Sequence, residues 1–220
     1  MGFFDSLANS LGRSVKSSAQ NAVNQTVRKA EHEAVNAATN AATKAVSNAV
    51  ANSKTKTYKF NELPQNAAEL MALPEAALTD ANAVAALAVL ALIQFSKNEA
   101  TGVEMLNALK GPAPLSERDK SFLHDRFDGT SHLPMSYFEG ATPQNNYTPS
   151  TPYTISVSEN PYSRDQFAQG YLTLYLKSGG ADSPRPVTLR NKPSSGQWFL
   201  WDFASLVSGI RTAVEADPWA

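Results

Sequence analysis

Imidazoles and carboxylates are the side chains of this chain that could do proton or metal chemistry, and their spacing argues against both. There are three histidines, His32, His124 and His132, and no cysteine. Without a thiol there is no disulfide, no thiolate metal site and no cysteine nucleophile. His124, Asp128 and His132 recur at intervals of four, the spacing that stacks ligands on one helical face. Gly129 interrupts that helix, so these read as surface or capping residues and no metal ligand is assigned. Neither a Gly-x-Ser-x-Gly elbow, a phosphate-binding loop nor a dinucleotide-binding glycine fingerprint occurs. No catalytic residue and no cofactor is assigned. Glu139, Asp182 and His124 would be the groups of an unfamiliar hydrolase, which requires that they meet in one polar pocket.

Binding is a better use of the remaining residues. Glu139 and Asp182 fall in the two least regular loops. Arg185 stands between Pro184 and Pro186, which hold it extended for presentation to a partner or for pairing with Asp182. Tyr137, Phe138 and Tyr147 are spread through a turn-rich stretch and could line a groove for a peptide or glycan, or lid one face of an open sheet. These six form the candidate partner-binding set.

The elements that would position them follow from periodicity. Thr57–Phe60 alternates as a short strand. Residues 64–78 read as two short helices broken at Pro74. Thr79 or Asp80 caps a helix over about 81–96 that is apolar nearly all round, the expected centre of the core. Asn98 caps the next helix, which ends at Gly111, and Ser116 with Asp119 opens another that stops at Gly129. Residues 130–152 are loop. Strand patterns then span 153–158, 170–177, 186–190 and 197–202, joined by turn formers and closed by a helix at about 203–211. Trp198 and Trp201 should face opposite sides of the last strand. The fold class is α+β: helices, then an antiparallel meander of about four strands.

Ahead of this domain (57–220) lies a different segment, 1–56. All 13 prolines lie at Pro64 or later, and the only glycines before residue 57 are Gly2 and Gly12. An Ala-rich stretch so free of breakers predicts one long amphipathic helix. Its apolar positions repeat every 11 residues (Ala19, Ala30 and Ala41 among them), which keeps a face straight along a long rod. Phe3, Phe4, Leu7 and Leu11 form a bulky apolar patch, followed by Arg13 and Lys16. That layout suits a membrane surface, aromatics entering the acyl boundary and cations meeting phosphates, or equally a partner helix.

Charge follows the same division. The arm carries seven Lys/Arg against three Asp/Glu, and the remainder 12 against 17, so a basic arm precedes an acidic body. A net charge of -1 gives no general attraction to nucleic acid, and none is expected as a partner. The longest apolar run, Ala83–Ile93, is too short to span a bilayer, and no signal peptide is recognised. The expected location is the cytoplasm, at the inner membrane face if the arm binds lipid.

The arm is similar to the 11-residue repeats of lipid-surface helices. Met1-Gly2-Phe3-Phe4-Asp5 resembles the openings of bacterial envelope-associated proteins. The domain resembles an uncharacterised bacterial family of unknown function on several motifs: Ser136-Tyr137-Phe138-Glu139-Gly140-Ala141-Thr142-Pro143, Lys177-Ser178-Gly179-Gly180-Ala181-Asp182-Ser183-Pro184-Arg185-Pro186 and Trp198-Phe199-Leu200-Trp201. That resemblance implies no activity. The expected function is that of a non-enzymatic accessory or scaffold protein with a membrane-associated or oligomerising arm and a protein-binding domain. An assembly protein without a lipid role is the alternative, beside the hydrolase.

Overall fold

The computed structural model of the chain describes residues 54–216. The arm residues Phe3, Phe4, Leu7, Leu11, Arg13 and Lys16 lie outside the described residues. The domain is α+β, as expected. Strand β1 (Thr55–Phe60) is followed by helices α1 (Ala67–Ala72), α2 (Ala81–Lys97), α3 (Glu99–Lys110) and α4 (Glu117–Phe127). Strands β2 (Tyr153–Ser158), β3 (Tyr171–Leu176), β4 (Arg185–Lys192) and β5 (Gln197–Asp202) complete it.

Helix boundaries are set by local chemistry. The Asp80 side chain accepts from Asn82 N–H, the Asn98 side chain from Thr101 N–H, and Ser116 and Asp119 cap each other reciprocally. Helix α2 is buried on every side from Ala81 to Phe95. Five of its residues between Ala83 and Ala91 are alanines, which let neighbours approach closely. A Cβ on Gly102 of α3 would stand 2.1 Å from the Phe95 Cα, so the two helices touch there backbone to backbone. The one buried amide near the end of α2 is satisfied, Gln94 Nε2 donating to the Pro64 carbonyl at 2.9 Å.

The sheet has five strands, not about four, in the order β1-β2-β3-β4-β5, all antiparallel. The fifth is β1, which pairs with β2 from Thr55↔Ser158 to Phe60↔Tyr153 across most of the domain sequence. Such long-range pairing leaves no local signature. Its Tyr58 hydroxyl donates to Asp80 Oδ2 at 2.8 Å, and Lys56 pairs with the same oxygen at 2.9 Å, tying β1 to the cap of α2. Burial pushes the Asp80 carboxyl up, but the hydrogen bonds from Lys56, Tyr58 and Asn82 together hold it below its ordinary value. The closing helix is only a single 3₁₀ turn, Ala204–Val207.

One face of the sheet (Ile155, Val157, Leu172, Leu174, Leu176, Val187, Leu189 and Leu200) packs on α2 and completes the core. The other shows the alternate residues. Pairing jumps from Leu189↔Leu200 to Thr188↔Asp202, so Trp201 is the extra residue of a β-bulge. Trp201 is 42% exposed, whereas Trp198 is partly buried against the core and packs on Phe167. The edge of β5 is capped: Trp198 N–H donates to the Leu78 carbonyl and Lys110 Nζ to the Trp201 carbonyl.

Candidate functional site

Strands β2 and β3 pair only at Val157↔Leu176 and Ser158↔Tyr175, then splay apart. The gap is filled by the loop that follows α4. Its 3₁₀ turn Leu133–Tyr137 delivers Phe138 into a bridge with Ile155. Glu139 N–H then donates to the Thr154 carbonyl, and Ser150 N–H to the Glu139 carbonyl, both at 2.9 Å. On the other side Gly179 N–H donates to the Ser136 carbonyl at 2.8 Å, and Ser178 Oγ to Ser136 Oγ at 2.9 Å. A Cβ on Gly179 would lie 1.8 Å from the Ala141 carbonyl oxygen, so this glycine serves close backbone approach. The Lys177–Gly180 turn and the 133–142 loop are thereby locked together.

Two adjoining clefts open where they meet. The first, of about 260 Å³, is lined by Tyr137, Phe138, Glu139, Thr142, Thr154 and Lys177, among others. The second, of about 390 Å³, runs on past Ser158 to Asp182, Ser183 and Pro184. Ser156 and Lys177 border both, so the two form one groove on the uncovered side of the sheet.

Four of the six candidates, Tyr137, Phe138, Glu139 and Asp182, line this groove, whereas Tyr147 and Arg185 do not. Tyr137, Phe138 and Tyr147 are buried. The Tyr137 hydroxyl donates to the Leu206 carbonyl at 2.8 Å, and burial pushes its phenol pKa up, against the opposing charge of Arg185. Tyr137 and Phe138 form groove wall, whereas Tyr147 stacks on His132 at 5.2 Å between ring centroids and donates to the Arg211 carbonyl at 2.7 Å. Glu139 and Asp182 are exposed, one in each cleft. Asp182 pairs with Arg211 rather than with Arg185, whose guanidinium donates to the Gly209 carbonyl. His124 sits exposed on α4, outside both clefts. Among the described residues no three His, Asp or Glu side chains gather as metal ligands, and no helix is long and apolar enough to cross a membrane.

Sequence reasoning missed Lys177 and Ser156, which join the clefts, and a second cluster further along the same face. There the Arg190 guanidinium lies 5.0 Å from the ring centroids of both Tyr171 and Trp201, and it donates to the Tyr171 hydroxyl. The strict alternation Tyr171, Thr173, Tyr175, Lys177 was the available signal: opposite the buried leucines, those four had to face outward.

No curated protein and no solved structure matches the chain. The family comparison does match, over residues 62–214, a span that takes in α1 to α4, strands β2 to β5 and, apart from Thr55, the lining of both clefts. On that match the chain belongs to the family described as domain of unknown function DUF6935.

Proposed function

We propose that this is a non-enzymatic accessory or scaffold protein of the bacterial cytoplasm, whose α+β domain binds another protein through the Lys177 groove. The arm, residues 1–56, holds it at the inner membrane face or in an oligomer through Phe3, Phe4, Leu7 and Leu11, with Arg13 and Lys16 beside them. One observation carries the domain half of this reading. Three segments distant in sequence (137–142, 154–158 and 177–184) converge on one groove. Their polar tips at Glu139, Ser156 and Lys177 enter no side-chain hydrogen bond or ion pair among the described residues. A few unengaged polar side chains set in a largely apolar concavity are the usual mark of a recognition site. The rigid backbone lattice beneath them keeps the site preformed, which lowers the ordering cost of association.

A photo-crosslinking residue at Ser156 of the full chain, in host cells, tests the groove. The expected result is a discrete crosslinked protein that is lost with Lys177→Glu and absent when the probe sits at exposed Glu104 on α3. Equal crosslinking from both positions, or none from Ser156, overturns the domain reading. Flotation of the full chain with anionic vesicles tests the arm. Binding should vanish when residues 1–16 are deleted; an unbound full chain that is still oligomeric would leave the assembly role and remove the lipid one.

A further inference from the structure

Cations and aromatic rings gather on the uncovered face of the sheet. Lys59, Lys177, Arg190 and Lys192 project from the strands or the residue after them on that face, and all four are exposed. Between them lie Tyr171, Tyr175 and Trp201, with hydroxyl pairs such as Thr173 and Thr188, whose oxygens are 3.3 Å apart. The helical stretch 61–129 by contrast carries five Lys/Arg against ten Asp/Glu. The two sides of the domain thus differ in sign. An occupant of the sheet face must bring negative charge and must profit from aromatic contact.

We infer that this face takes an extended acidic segment of a protein partner, lying across β3 and β4 from Lys177 to Lys192. Several features favour a peptide over a nucleic-acid strand. Along β3 and β4 the cations stand at the two ends, Lys177 at one and Arg190 with Lys192 at the other, separated by about 20 Å. They do not form a continuous track for a phosphate backbone. The described residues carry fourteen Lys/Arg against sixteen Asp/Glu, which gives no long-range pull on a polyanion. A peptide with a few carboxylates needs only the local cations. Arg190 is already oriented by its two rings, so its planar fork can meet a carboxylate at little entropic cost. Trp201, thrown outward by the bulge, and Tyr171 supply the aromatic contact.

The inference rests on the protein-binding reading above and adds the partner's chemistry. Its test is fluorescence anisotropy of the full chain with a labelled Glu–Tyr copolymer, a Lys–Tyr copolymer and an oligothymidylate. Expected is saturable binding of the Glu–Tyr polymer, weakened about tenfold or more by Arg190→Glu, the loss that one charge-assisted contact brings. Lys177→Glu, at an exposed residue away from the ring cluster, should weaken it too, while Lys97→Glu on the helical side should not. Thermal melts of each variant confirm that the fold is kept. Three results would overturn the inference: no binding of the Glu–Tyr polymer, equal loss with Lys97→Glu, or preference for the oligothymidylate. If the Ser156 crosslink persists in any of these cases, only the acidic-segment assignment falls.

Discussion

His132, which lines neither cleft, can still govern behaviour in solution. Its ring stacks on Tyr147, and its Nε2 is buried with no hydrogen-bond partner among the described residues. Burial holds its imidazole below the ordinary value of 6.5, a shift that the Arg211 backbone partly offsets. In the unfolded chain the imidazole takes up a proton first, so stability is full above 6.5 and falls as the pH drops from there towards the lower folded value. His132→Phe keeps a ring against Tyr147 and removes the proton. Urea midpoints measured across this range should then fall less steeply than for the natural chain; an unchanged slope would assign the pH dependence to other groups. Tyr147 itself has a left-handed backbone, φ 54°. A bulky residue stays there only because its ring and hydroxyl are both engaged. Nothing in the turn-rich sequence around it announced that burial, since its neighbours Asn145 and Asn146 and the nearby prolines carry no periodicity.

At the scale of elements, the caps were legible and the pairings were not. Asp80, Asn98 and Ser116 act within three residues of themselves, so residue type and spacing suffice to place three helix starts. The β1–β2 ladder joins residues about a hundred positions apart and depends on which face α2 leaves open. The same distinction separates two kinds of glycine. Gly111, with φ 57°, ends α3 as a stop signal should. Gly102 looks like a flaw inside that helix and is instead where α3 meets α2. Helix propensity alone would make Gly102→Ala stabilising by about 1 kcal/mol. Contact with the Phe95 backbone reverses the sign, and a loss of about 1–3 kcal/mol is expected, as for other overpacked cores. Chemical denaturation decides between the two signs. Strand β1 also starts inside the stretch assigned from sequence to the arm. A chain beginning at Tyr58 loses the pairings of Thr55, Lys56 and Thr57 and the Lys56–Asp80 contact. It should be less stable than one beginning at Lys54 by about 1–3 kcal/mol, the worth of a few ladder hydrogen bonds. Equal midpoints would mean that the outer half of β1 adds nothing.

On the scale of the whole domain, charge is unevenly divided between helices and sheet. The helical stretch carries the acidic surplus and buries α2; the sheet leaves one face open, and Lys59, Lys177, Arg190 and Lys192 project from it. Composition made the acidic balance of the body plain, yet the gathering of Lys59, Lys177, Arg190 and Lys192 on one face emerges only when the five strands are aligned. The groove was half legible: Glu139 and Asp182 are in it, and Lys177, which joins its two parts, looked like an ordinary residue before a turn. The central position of α2 carries one more consequence. Sheet, α3 and the 133–137 turn all rest on it, so none of them keeps an apolar floor once it leaves. Opening of its amides to deuterium therefore requires the complete domain to come apart, and those amides should be the slowest to label, together and at one common rate limit.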